Sequence, residues 1–315
     1  MKKISILIPA YDEQEVLEPL FIRLGKLAND NKKYSFEFLF VNDGSRDRTL
    51  QIIKEKADID QRISYINLSR NFGKEIAMIA GLDHVTGDAT VIIDADLQDP
   101  PELIPEMIAL WEQGYDDVFA KRRSRAGESG LKKFSSKLYY KLLQKVSSVP
   151  IQKDTGDFRL LDRRAVEALK QFRESQRYTK GMFSWIGFNK KEILYDRDAR
   201  VAGTTHWNYF KLVNLAVDGI TSFTTAPLRI TTFLGGFVSI AAFVYLIFIV
   251  IRTAVDGSDL AGYPSTVAII LFLGGVQLLS LGIIGEYIGR IFNETKQRPL
   301  YFIEEYHHGI SKKAR

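Results

Sequence analysis

The chain has 315 residues, 43 basic against 38 acidic side chains, 46% hydrophobic residues and no cysteine. That length is enough for one large or two modest domains with a buried core. It carries no material for a disulfide scaffold, a thiolate zinc site or a cysteine nucleophile. Four histidines, His84, His206, His307 and His308, leave little for a histidine-rich metal site, and a net charge of +5 gives no argument for a nucleic-acid partner.

The N-terminal stretch MKKISILIPAYDE has a short apolar run that reads as a strand, not as a signal peptide. Strand and helix signals then alternate. Residues 4–10 (ISILIPA) are apolar and β-branched, and 13–28 have helical spacing. A second strand is predicted over 36–43 (FEFLFVND), with a helix over 48–57. A third strand over 63–69 precedes a helix over 74–85. A fourth over 89–96 (ATVIIDAD) precedes a helix over 101–114, and a fifth covers 116–122. Strands alternating with helices of this length indicate a doubly wound α/β domain with a parallel sheet. Strands apolar almost throughout fit a sheet covered on both faces.

A mean hydropathy of −0.08 averages two unlike regions. Up to about Asp218 the chain is rich in charge. From Ile230 to Ile251 there are 22 consecutive uncharged residues, and from Leu260 to Gly285 there are 26. Either run exceeds the roughly 20 residues that cross a bilayer as a helix. Arg229 precedes the first run and Arg290, Lys296, Arg298, Lys312, Lys313 and Arg315 follow the second, while the connector holds Arg252 against Asp256 and Asp259. The positive-inside rule then places both termini in the cytoplasm. The expected organisation is a cytoplasmic catalytic domain over 1–206, an interfacial amphipathic helix over 207–226, two transmembrane helices over 227–291 and a cytoplasmic tail over 292–315. The stretch Trp207–Asp218 has apolar residues at helical spacing and reads as an interfacial helix on the membrane surface, and a basic amphipathic stretch over Lys132–Lys145 suits anionic headgroups.

In doubly wound sheets ligands bind beyond the carboxyl ends of the strands. The polar residues gather at those ends: Tyr11-Asp12-Glu13, Asn42-Asp43-Gly44-Ser45, Ser69-Arg70-Asn71, Asp94-Ala95-Asp96 and Lys121-Arg122-Arg123. One such cluster is explained by helix capping, whereas five on one rim point to a shared site. Neither a three-glycine dinucleotide fingerprint nor a phosphate loop is present, which excludes the usual dehydrogenase and P-loop readings. On an extended strand Asp94 and Asp96 would face the same side. Two carboxylates without histidine or cysteine suit a hard ion, Mg²⁺ or Mn²⁺, shared with diphosphate oxygens.

Ile8-Pro9-Ala10-Tyr11-Asp12-Glu13, Val41-Asn42-Asp43-Gly44-Ser45-Arg46-Asp47, Asn71-Phe72-Gly73-Lys74 and Asp94-Ala95-Asp96-Leu97-Gln98-Asp99-Pro100-Pro101-Glu102 resemble the inverting family-2 glycosyltransferases of GT-A fold. Asp154-Thr155-Gly156-Asp157-Phe158-Arg159-Leu160, Arg200-Val201-Ala202-Gly203 and the two C-terminal spans narrow the resemblance to the polyprenyl-phosphate type, akin to dolichol-phosphate-mannose synthases and bactoprenol glucosyltransferases. The resemblance implies a UDP-sugar donor, an undecaprenyl or other polyprenyl phosphate acceptor, a divalent metal, the bacterial inner membrane as location, and room for a homo-oligomer. It implies that Pro9, Tyr11 and Glu13 line the nucleotide pocket, with Asp43 on the uracil ring. Lys74 would offset diphosphate charge, Asp94 would bind the ribose of the nucleotide-sugar or the metal's shell, and Asp96 the metal. Asp157 would lie close to sugar and acceptor. Arg122 would flank the diphosphate, and Arg125, Arg200 and His206 the lipid phosphate. His206 stands where the family usually has lysine, so it either binds phosphate partly protonated or has no part in binding. Two alternatives are a processive polysaccharide synthase and a non-catalytic scaffold with a nucleotide pocket. The first lacks its Gln-x-x-Arg-Trp and has too few spans, and the second would not need Asp94, Asp96 and Asp157.

Overall fold

The computed structural model describes residues 1–123, 155–175, 177, 179–196, 224–256 and 263–309. Arg125, Arg200, His206 and the basic and interfacial amphipathic stretches named above lie outside the described residues.

The first half folds as the periodicity predicts. Strands β1 (Lys3–Ala10), β2 (Ser35–Asn42), β3 (Ile63–Leu68), β4 (Ala89–Ile92) and β5 (Asp117–Arg122) alternate with helices α1 (Leu17–Asp30), α2 (Thr49–Ile59), α3 (Lys74–His84) and α4 (Ile104–Glu112). Beyond them come β6 (Thr155–Asp162), α5 (Arg163–Lys170), α6 (Thr179–Trp185), β7 (Lys190–Tyr195), α7 (Ala226–Asp256), α8 (Tyr263–Thr295) and β8 (Ile303–His307). All eight strands join one sheet in the order β7-β5-β6-β4-β1-β2-β3-β8. Pairing is parallel from β4 through β1 and β2 to β3, and between β5 and β7. The sheet is therefore mostly parallel. Its departures are β6, which enters antiparallel between β4 and β5, and β8, which pairs antiparallel with β3.

Alternate residues of β1 serve two cores. Ile4, Ile6 and Ile8 join Leu17, Leu20 and Leu24 of α1 and Met107 and Ile108 of α4 on one face. Leu7 joins Ala77, Met78 and Leu82 of α3 and Val166 and Leu169 of α5 on the other. Burial on both faces removes the need for a polar alternation, which is why the strands read as continuous apolar runs.

Helices α7 and α8 contain apolar windows long enough to cross a bilayer, Ala226–Ile249 and Ile269–Thr295, and among the described residues those windows are not buried. The backbone carbonyl of Thr224, just ahead of α7, accepts the Tyr287 hydroxyl of α8 at 2.7 Å. The chain after α8 then returns to the sheet. Glu294 accepts the Ser175 backbone N–H at 2.8 Å, and the Tyr301 hydroxyl reaches Asp83 of α3 at 2.8 Å. In β8, Glu304 accepts from Asn67 at 2.9 Å and Glu305 from the Tyr65 hydroxyl at 2.7 Å. Residues placed in a tail by sequence thus supply an edge strand of the sheet.

Under the sheet, Arg159 of β6 and Asp117 of β5 form an ion pair at 3.0 Å, both side chains wholly buried. The guanidinium lies 3.6 Å from the centroid of the Phe183 ring. Removing Arg159 leaves the buried Asp117 facing Lys190 at 4.0 Å without its closer partner, so Arg159→Met is expected to cost about 3 kcal/mol, and the double variant Arg159→Met/Asp117→Leu to regain part of it. Chemical unfolding of the detergent-solubilised chain checks both; an Arg159→Met variant of unchanged stability would show that the pair contributes nothing.

Candidate active site

Strand β1 is where the chain order turns: β2 and β3 extend the sheet on one side of it, β4 on the other. The loops after β1 and β4 consequently part and leave a crevice at their carboxyl ends. A cleft of about 340 Å³ opens there, lined among others by Pro9, Tyr11, Glu13, Asp43, Lys74, Asp94 and Asp96. These seven residues, picked out by sequence in four separate segments, meet in one place.

Its walls are held by local hydrogen bonds. Asp12, in a left-handed conformation (φ 54°), accepts the Arg46 N–H at 2.7 Å and donates its own N–H to Ser45 Oγ at 3.0 Å. The Glu13 N–H donates to Thr49 Oγ1 at 2.8 Å. Gly44 also has positive φ (68°), and a β-carbon there would stand 2.5 Å from the Asn71 backbone nitrogen. The turn after β2 therefore packs directly on the turn before α3, and only glycine fits. Asp43 completes that junction by accepting the Phe72 and Gly73 N–H groups at 2.7 and 2.8 Å. Burial nonetheless pushes its carboxyl above the usual range, with the two amides opposing. Asp43, expected on a uracil ring, is thus also the residue that shapes the start of α3.

Lys74 opens α3 and points its ammonium between two carboxylates. Its Nζ donates to Asp94 Oδ2 at 2.8 Å and to Asp157 Oδ2 at 2.6 Å. Burial acts to lower the Lys74 pKa, but Asp94 and Asp157 outweigh it and hold the group well above the ordinary lysine value. Asp157 comes from β6, so the antiparallel insertion of that strand next to β4 is what carries it to Asp94. Asp96 is buried, and its Oδ1 accepts the Gln98 N–H at 3.2 Å. Strand β4 stops at Ile92, four residues short of the predicted end, and Leu97 turns through φ 59°. Asp94 and Asp96 hence share the cleft because a turn presents them, not because a strand alternates.

Arg122 closes β5 beside this array. A β-carbon at Gly156 would lie 4.0 Å from its Nη2, and its charge acts on Tyr195, whose hydroxyl donates to Asp99 at 2.6 Å. Burial, reinforced by Asp99, pushes the Tyr195 phenol well above its ordinary value, so it stays protonated. Arg122 lies at the neighbouring strand end and does not line the 340 Å³ cleft. Among the described residues no three His, Asp or Glu side chains converge as a ready-made metal site. Two carboxylates in one cleft still fit an ion such as Mg²⁺, which keeps most of its shell as water and phosphate oxygen. Glu75, the next residue of α3, is not singled out by sequence, because a glutamate in a first helical turn is ordinary N-terminal chemistry. Its Oε2 accepts the Thr179 N–H at 3.2 Å, and burial together with the neighbouring Asp157 pushes its carboxyl up to about 7.

The chain is similar to known proteins along nearly its whole length. Residues 226–291 match the GtrB C-terminal hairpin. An uncharacterized glycosyltransferase of Synechocystis is 48% identical over 303 residues, covering 96% of this chain and 95% of the relative. The bactoprenol glucosyl transferase of Shigella phage SfX is 46% identical, covering 96% and 99%. A prophage bactoprenol glucosyl transferase homolog of Escherichia coli is 45% identical, covering 96% and 98%. With residues 5–170 matching the glycosyl transferase family 2 model, and the cleft at the strand ends of a mostly parallel α/β sheet of GT-A type, the chain belongs to glycosyl transferase family 2.

Proposed function

We propose that this enzyme transfers glucose from UDP-glucose to undecaprenyl phosphate, or a related polyprenyl phosphate, with inversion at the sugar. The observation that carries the reading is the Asp94–Lys74–Asp157 array at the mouth of a sheet whose chain continues into a hairpin of membrane-spanning length. The names of the phage and prophage relatives support bactoprenol as carrier and glucose as sugar. The hairpin would cross the membrane twice, with both termini in the cytoplasm.

Pro9, Tyr11 and Glu13 line the part of the cleft that suits a nucleoside. The amides at the start of α3 and the Lys74 ammonium suit the diphosphate. Asp94 and Asp96 would hold Mg²⁺ or Mn²⁺, which when bound offsets the charge that develops on the departing nucleotide. A phosphate monoester has a second pKa near ~6 and is mostly dianionic at neutral pH, so the acceptor attacks without a strong base. Its oxygen forms a bond to the anomeric carbon as the bond to the UDP oxygen breaks on the opposite side, and an α-linked donor gives a β-linked lipid phosphosugar. Asp157 would orient a sugar hydroxyl or the acceptor. Arg122 would flank the diphosphate, and Arg125, Arg200 and His206 would gather the lipid phosphate.

Membranes containing the protein, incubated with labelled UDP-glucose and undecaprenyl phosphate and then extracted with solvent, are expected to yield one labelled lipid with a β-phosphoglucosyl linkage. Label from UDP-N-acetylglucosamine instead would change the sugar. Transfer to a water-soluble acceptor at a comparable rate would overturn the polyprenyl-phosphate reading.

A further inference from the structure

Lys74 tethers α3 to the turn after β4 and to β6, and the short helix α6 is held by its buried Met182 and Phe183 and by Lys190, which donates to the Phe183 carbonyl. Seven residues are too few to sustain a helix without outside contacts. The outside contact at its N-terminus comes from α3: Glu75 Oε2 accepts the Thr179 N–H at 3.2 Å. Arg177, just ahead of α6, folds back with its Nη1 on the Phe172 carbonyl at 2.8 Å and its Nη2 on Met182 Sδ at 3.2 Å, and its charge acts on Glu75. From α6, Phe183 presses on the Arg159 guanidinium at 3.6 Å. Strand β6 carries both Arg159 and Asp157. Thr179 thus hangs from Glu75 and Phe183 packs on Arg159, while the Asp157 charge acts on both Glu75 and Arg159.

We propose that Glu75 is a positioning residue for the transfer step: by capping α6 and lying beside Asp157, it keeps the β6–α6 wall of the cleft in register with the α3 wall that carries Lys74. The proposal rests on the glycosyl-transfer reading of this cleft. The groups that face Glu75 are Lys74 on its own helix, Asp157 from β6 and Arg177 from the segment before α6. Burial and the Asp157 charge raise the carboxyl, and Lys74, Arg177 and the Thr179 amide oppose them, leaving it at about 7. The sign follows directly. An acid whose pKa is raised on folding binds its proton more tightly in the folded state, so its contribution to stability falls as pH rises from the ordinary 4.5 through about 7. Near neutrality Glu75 therefore passes from a neutral carboxyl that is at ease beside Asp157 to a carboxylate that repels it.

Two variants of the full chain separate these roles. Glu75→Gln keeps an oxygen for the Thr179 amide but cannot ionise, and Glu75→Ala loses both properties. Misplacing a reacting group by about 1 Å costs on the order of 10²-fold in rate. Glu75→Ala is expected to lower kcat by that order while leaving KM for the UDP-sugar within about threefold, and to speed hydrogen exchange of the Thr179–Trp185 amides in the ligand-free protein. Glu75→Gln is expected to keep the amide protection and to flatten the pH dependence of kcat between about pH 6 and about pH 8. Wild-type kcat in Glu75→Ala, equal losses in kcat and donor affinity, or a wild-type pH profile in Glu75→Gln would each overturn the proposal. The exchange measurement needs no substrate. A clear exchange difference in a protein whose wild type forms no lipid-linked sugar would therefore fault the polyprenyl reading and leave the α3–α6 tether standing.

Discussion

Asp96→Asn is expected to reduce sugar transfer by at least about 10³-fold, since an ion that neutralises a leaving diphosphate is worth several kcal/mol and each 1.36 kcal/mol is tenfold in rate. Asp96 is buried at the cleft floor and is held by the Gln98 amide, and asparagine is nearly the same size. The loss would accordingly come from charge and not from packing. Chelation should reproduce it in the wild type, with Mg²⁺ or Mn²⁺ restoring the rate. Initial rates measured before and after EDTA treatment and metal addition decide the matter. Full activity in EDTA, with Asp96→Asn also near wild type, would remove the metal from the mechanism.

Lys74→Met should be almost as damaging, for a different reason. The ammonium is shared by Asp94 and Asp157 at 2.8 and 2.6 Å, so its loss leaves two carboxylates facing each other across a partly buried gap. Loss of one preorganised cationic group in an active site costs about 10²–10³-fold in kcat, and that is the expected range. Lys74→Arg, which keeps the charge in a bulkier fork, should recover part of it. Steady-state rates against donor concentration test this. A Lys74→Met variant within threefold of the wild-type rate would mean that the bridge is incidental to transfer.

Several features of this protein are local properties of the chain, and sequence alone determines them. The β1–α4 alternation is legible because each segment shows its own hydrophobic period and because turn residues separate the segments. The membrane-length hairpin is legible because runs of 22 and 26 uncharged residues each exceed the length of a bilayer-crossing helix and carry no polar stripe to face water. The rim residues stand out because carboxylates and arginines recur at the predicted ends of apolar strands. Tertiary structure decided the rest. Thr155–Asp162 carries Asp157 and Arg159 among its residues and has no clean strand period, and it becomes β6 because β4 and β5 offer it two open edges. The segment Ile303–His307 is equally unmarked, and it becomes β8 by pairing with β3, more than 230 residues away in the chain. Asp94 and Asp96 lie in a turn instead of on a strand, since β4 ends where its pairing with β1 and β6 ends. The bridging role of Lys74 and the cap that Glu75 places on α6 depend on side chains from α3, β6 and α6 meeting in space. Such meetings are set by non-local strand pairing and packing, which leave no period in the sequence of any one segment.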